Sequence, residues 1–262
     1  KLAASVGLVI VGFSTVGAIG GVLVAQLLAF SYAIAQARRA GFVRPKGSSY
    51  FTLPRVKRVM PELSYSLFVL VASLGVAILS SVDVVIVKAF FDAETAGAYA
   101  GISTVAKILF FLTGSVAQVM LPSVKLDAAP GKNRDFLLKS LALVCALGGS
   151  ALVVFALLPG FVVTTLMGSH YATYVHLLPL LSFAMFIISV LNILVLYYVA
   201  LRRYQVALIV VAGLAITCWL LVAGRASLDG IVANLALGSV LMLGMFGAWQ
   251  LTTRVKAKEA AV

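Results

Sequence analysis

The chain has 262 residues, of which 63% are hydrophobic and 11% charged, with a net charge of +12 and a mean hydropathy of +1.13. A soluble domain is roughly 45–50% apolar, so this composition excludes an ordinary water-soluble fold and marks a polytopic membrane protein. Apolar runs of about 20 residues suit helices crossing about 30 Å of hydrocarbon, whereas a closed barrel would need short alternating segments.

The predicted elements follow in chain order, and the fold class they give is an all-α transmembrane helix bundle. Leu2 to Phe13 is apolar but too short to cross; through the Gly-rich stretch Ser14–Gly21 it runs into Val22–Ala37, as a stub and a helix or as one long tilted helix. Further spans are expected from Leu63 to Phe91, Ala98 to Leu121, Leu137 to Leu158, Leu177 to Leu201, Val206 to Ala223 and Leu228 to Leu251. That makes seven full helices plus a partial one.

The longest polar connection divides the chain. Residues 38–60 carry prolines, a Gly-Ser-Ser step and the basic-aliphatic "LPRVKRVM", which suits a short helix along the inner membrane surface. The expected organisation is therefore the end of an incomplete first bundle (1–37), a basic linker (38–60), a second six-helix bundle (61–252) and a polar tail (253–262). Residue 1 is Lys, and the first apolar run lacks the pattern of a signal peptide, so the chain is expected to begin inside a longer protein.

Basic residues set the orientation, because short cytoplasmic loops are enriched in Lys and Arg. Threading the helices alternately puts all of the 20 Lys and Arg except Lys88, Lys107 and Arg225 on one side, while the opposite loops carry Asp92, Glu94 and Asp229. The basic side, with the C-terminus, is thus expected to be cytoplasmic, and the net charge needs anionic lipid headgroups rather than nucleic acid as its counterpart.

Three charges remain inside apolar sequence. Charges at the bilayer centre cost about 2.5–3.5 kcal/mol on insertion scales, so each needs a partner or a wet cavity. Lys88 lies near a helix end, within snorkelling reach of the outer interface. Asp83 and Lys107, counted from the turn at Asp92–Ala96, fall at similar depth on adjacent antiparallel helices. They are expected either to form a buried ion pair or to serve an anionic ligand, Lys107 as the cation and Asp83 as the group that orients it or takes a coupling ion.

Gln26, Gln118, Asn192 and Asn234 also interrupt apolar runs, where hydrogen bonding between helices is the common role. The first three are carried with Lys107 and Asp83 as candidates for contact with substrate. His170 and His176 sit among tyrosines as an interfacial belt rather than a metal site, and Cys145 and Cys218 are apolar fillers. No metal or other cofactor is expected.

The stretch "DVVIVKAFFDAETAGAYAGISTVAKILFFLTGSVAQVMLPSV", with Asp83, Gly97, Tyr99 and Pro122, resembles the start of the second lobe of Wzx-type polysaccharide flippases, in the multidrug/oligosaccharidyl-lipid/polysaccharide exporter superfamily. "GSHYATYVHLLPLLSFAMF" and "LVAGRASLDGIVANLALGSVLML" look like later helix entries and turns of that family. The resemblance implies a lobe like that of the multidrug exporters, in a bacterial inner membrane. It implies that polyprenyl-diphosphate-linked oligosaccharide is flipped outward by alternating access for cell-envelope polysaccharide such as lipopolysaccharide. The partners it implies are that lipid, membrane lipids, and the glycan polymerase and glycosyltransferases. A cation-coupled drug exporter of the same superfamily, or a membrane subunit that transports nothing, are the alternatives. An enzyme is not expected, because no carboxylate pair, His-Asp set or phosphate loop is present.

Overall fold

A computed structural model describes residues 14–39, 56–124 and 131–259 of the chain. All regular structure among them is helical: α1 Ser14–Arg39, α2 Val56–Leu79, α3 Val82–Phe90, α4 Ala93–Ser123, α5 Lys132–Leu157, α6 Pro159–Met167, a 3-10 segment Ser169–Leu177, α7 Leu178–Ala200, α8 Gln205–Ala223 and α9 Leu228–Glu259. Helices satisfy their own backbone groups, the requirement that hydrocarbon imposes on a spanning chain. The protein is a multi-pass helical membrane protein, as its composition predicts.

Five helices among the described residues are long and apolar enough to span, and a bent pair makes up to six. Within α1, Gly20–Gln36 is an apolar stretch at the place of the first expected helix, Val22–Ala37. The Gly-rich beginning of α1 is helical from Ser14 rather than a turn. The stub Leu2–Phe13 and most of the basic linker lie outside the described residues, and Val56–Met60 of that linker is already the start of α2.

The expected single span Leu63–Phe91 is broken, with α2 and α3 meeting at 50°. The cause is local. The Ser80 hydroxyl donates to Ala77 O at 2.8 Å, and the Ser81 N–H reaches back only three residues, to Ile78 O. Serine hydroxyls compete for helix carbonyls, and a tightened turn of this kind is one of the recognised sources of a kink.

The chain divides into two compact units, Lys1–Arg58 and Val59–Val262. In the second, α7 is the central element, packing on α4, α5 and α9, while α8 packs on α9. Most residues of α7 are buried, Leu178, Leu181, Met185, Ile188, Leu191 and Val195 among them, while Leu180 and Phe183 face outward. A helix that is apolar all round belongs in such an interior. By contrast α5 and α8 turn side chains such as Leu143, Val153, Leu208 and Trp219 outward, which in a bilayer means toward lipid.

Close helix approach depends on several glycines, among them Gly75 against Val210, Gly213 against Met242, Gly148 and Gly238. A Cβ on Gly238 would lie 2.5 Å from the Thr217 hydroxyl oxygen, and one on Gly148 2.9 Å from the Phe186 ring. Gly149, Gly244 and Gly247 face open space. Some interior hydroxyls are satisfied within their own helices, as Thr217 to Gly213 O and Ser239 to Leu235 O show, both at 2.8 Å, while buried Ser182 Oγ has no partner among the described residues.

At the end where α7 turns into α8, aromatic side chains fasten α2, α8 and α9. The Tyr65 hydroxyl donates to Val199 O, Phe68 meets Tyr204 edge-on at 5.0 Å, and the Trp249 indole N–H donates to the Gln205 amide oxygen at 2.9 Å. Arg202, at φ +53, lies over the Tyr65 ring 4.7 Å from its centroid.

Candidate functional site

The polar side chains singled out by the sequence separate into distinct places. Asp83 is fully buried in the first turn of α3. Its Oδ2 accepts from the Tyr99 hydroxyl at 2.9 Å and the Ser103 hydroxyl at 3.0 Å, both on one face of α4, while Oδ1 has no hydrogen-bond partner. Lys107 forms no ion pair with it, so of the two readings open from the sequence the buried pair is not the one found.

The reason lies in where α4 begins. Asp92 caps the helix, its carboxylate accepting the Thr95 N–H at 2.9 Å, so α4 starts at Ala93 rather than after a turn ending at Ala96. One extra helical turn moves Lys107 about 6 Å deeper relative to Asp83. The signal was present in "DAET", an Asp followed by a Glu in the first turn, which is a helix start. The same hydrogen bond from Thr95 holds the Asp92 carboxyl below its usual range.

Gln118 and Asn192 face the same cavity. With Ser73 of α2, Ser115, Phe110 and Phe111 they line its volume of about 440 Å³ between α2, α4 and α7. Neither amide hydrogen-bonds to another described residue, so the interhelical role expected for them is not the one they have; Asn234 does take that role, donating to Leu220 O at 2.6 Å. Along α4, Lys107, Phe111, Gly114 and Gln118 fall at i, i+4, i+7 and i+11, one stripe of the helix. Half-buried Lys107 is therefore on the cavity's own face, one turn beyond Phe111 and nearer the bilayer centre. Ser73, Ser115 and the two phenylalanines were not anticipated, although the stripe from Lys107 to Gln118 could have pointed to Phe111.

Gln26 belongs to the first unit, where it is exposed on α1. Lys88 is exposed in the last turn of α3 and, with Phe91 and Gly97, borders a hollow of about 630 Å³, a position that suits snorkelling. His176 lies 3.5 Å from the Asp229 carboxylate and its Nδ1 3.1 Å from Thr173 O, tying the 3-10 segment to the start of α9.

The cavity has the makings of a binding site. It offers two amides and the Ser73 hydroxyl, which can donate and accept, the Ser115 hydroxyl, which gives its proton to Leu112 O and is left to accept, two aromatic faces, and a cation on the same helical stripe. Mostly apolar pockets with a few convergent polar groups are the usual form of ligand sites. A profile of polysaccharide biosynthesis proteins matches residues 1–176. The chain belongs to that family. The matched region of this polysaccharide biosynthesis protein contains Gln26, Asp83, Lys107 and Gln118 and stops before Asn192. No curated protein and no solved structure matches the chain.

Proposed function

We propose that this polysaccharide biosynthesis protein flips a polyprenyl-diphosphate-linked oligosaccharide across the bacterial inner membrane, by alternating access of the α2–α4–α7 cavity to the two faces. The observation that carries the reading is the pair of unengaged amides, Gln118 and Asn192, in a cavity whose α4 face also bears Lys107. Amides and hydroxyls suit the hydroxyls of a sugar, and an ammonium suits a diphosphate. Side chains left unbonded within the protein keep their hydrogen-bonding capacity for a passenger.

A cation exporter would need an acidic group in its cavity. Among the lining residues none is acidic, and Asp83 is enclosed by Tyr99 and Ser103. Catalysis has no support in the cavity's chemistry either, since amides and serines without a base activate no nucleophile.

The direct test is reconstitution. Vesicles holding fluorescent lipid-linked oligosaccharide in both leaflets should, with protein, expose the inner-leaflet pool to an impermeant quencher within minutes. If that pool stays protected as it does in protein-free vesicles, while a cationic dye crosses, the exporter reading replaces this one.

A further inference from the structure

A second concavity lies on the lipid-facing side of α4 and α5. It measures about 420 Å³ and is lined by Ser115, Val119, Phe136, Lys139, Leu143 and Leu147 among others. Val119 is 70% exposed and Leu143 48%, so the groove opens outward from the bundle. Its polarity is graded along α5. Lys132 and Lys139 stand seven residues apart on one face near the helix start, and Leu143 and Leu147 continue that face inward. Ser115 lines both this groove and the cavity that holds Gln118 and Asn192.

Burying apolar surface gives no net drive here, because lipid tails are as apolar as leucine. A groove of this kind selects an occupant through shape and charge. Lys139 attracts a phosphate at the shallow end, and Ser115 makes the groove adjoin the polar cavity. We propose that the α4–α5 groove holds the polyprenyl chain of the lipid-linked sugar while its glycan occupies the cavity, with the diphosphate near Lys139 on entry, before transport carries it to Lys107. This rests on the proposed flippase function and adds to it the path of the chain. A molecule with a sugar at one end and a long tail at the other needs neighbouring polar and apolar compartments, and the two share a wall residue.

The test uses the protein in nanodiscs and a sugar-free polyprenyl diphosphate bearing a diazirine near its phosphate end. Photolabelling should saturate, map to peptides containing Val119 or Leu143, and be competed by unlabelled polyprenyl diphosphate but not by phosphatidylglycerol at the same mole fraction. Lys139→Gln should weaken labelling by about five- to tenfold, given the contribution of one basic residue near a membrane surface. Leu143→Trp should abolish it by filling the groove, with an unchanged melting temperature showing that the variant folds. Equal competition by phosphatidylglycerol would reduce the groove to a general anionic-lipid site, and labelling that never saturates would make it ordinary annular lipid; either overturns the proposal. Saturable groove labelling without sugar-lipid flipping would sink the transport reading and leave the groove standing. Flipping with no groove labelling would do the reverse.

Discussion

The Tyr99 hydroxyl donates to Asp83 Oδ2 at 2.9 Å across the α3–α4 contact, and Ser103 supplies the second bond one turn further along. Because the carboxylate is fully buried and its Oδ1 already lacks a partner, each hydroxyl matters. Tyr99→Phe or Ser103→Ala should each destabilise the detergent-solubilised protein by about 1–3 kcal/mol, the cost of leaving a buried polar group short of a donor. The double variant should lose more than the sum, measured by thermal unfolding, since it strips the last donor from the same oxygen.

Gln118 and Asn192 should behave in the opposite way. Replacing either with Leu removes no hydrogen bond to a described residue, so the melting temperature should stay within about 2 °C of wild type, as is usual for substitutions that break no packed feature. Flipping of lipid-linked oligosaccharide should nevertheless fall about tenfold for each, the scale of one lost hydrogen bond to a charged or strongly polar ligand. A drop in stability with transport intact would return both residues to a packing role.

Since Lys107 does not neutralise Asp83, the two should act independently. Lys107→Met should reduce transport about tenfold or more, and adding Asp83→Asn should not restore it. Lys107→Arg should keep part of the activity, because the charge remains while its geometry changes. Full rescue in the double variant would show that the two charges are coupled after all.

The asymmetry of basic residues gives a topological expectation. With Cys145 and Cys218 replaced, a single cysteine at Glu94 should react with an impermeant thiol reagent added to intact cells, and one at Asn133 should not. Outside labelling at position 133 would invert the orientation.

Asp92 supplies a pH-dependent contribution. Its carboxyl titrates below the ordinary value in the folded helix cap, so the stabilisation is present above the unfolded-state pKa of about 3.9 and is lost as pH falls through the lower folded value. Wild type and Asp92→Ala should therefore differ in melting temperature at pH 7 and converge toward pH 2–3. A difference that persists at pH 2 would mean that the cap does not depend on charge.

Much of the helical layout was legible because apolar runs of spanning length leave few alternatives: Leu177–Leu201 was expected and Leu178–Ala200 is found. Gln118 and Asn192 stood out for the same reason, as polar residues in apolar runs. That they face the same cavity could not be read, because α7 is apolar around its whole circumference and its sequence does not say which face meets α4. The kink at Ser80–Ser81 is set by competing hydrogen bonds that no hydropathy profile records. The position of Lys107 turned on a capping residue, a signal local enough to have been used.

Arg202 occupies a backbone conformation that glycine adopts at no steric cost, and its guanidinium rests on Tyr65, whose hydroxyl bonds to Val199 O. Local comfort and long-range attachment are therefore opposed at one position. Glycine there would relax the turn and release the clasp on α2, 137 positions earlier in the chain than Arg202. The α7–α8 turn thus acts as a fastener that can close only after the intervening helices have been made, when a newly emerged residue grips one made long before.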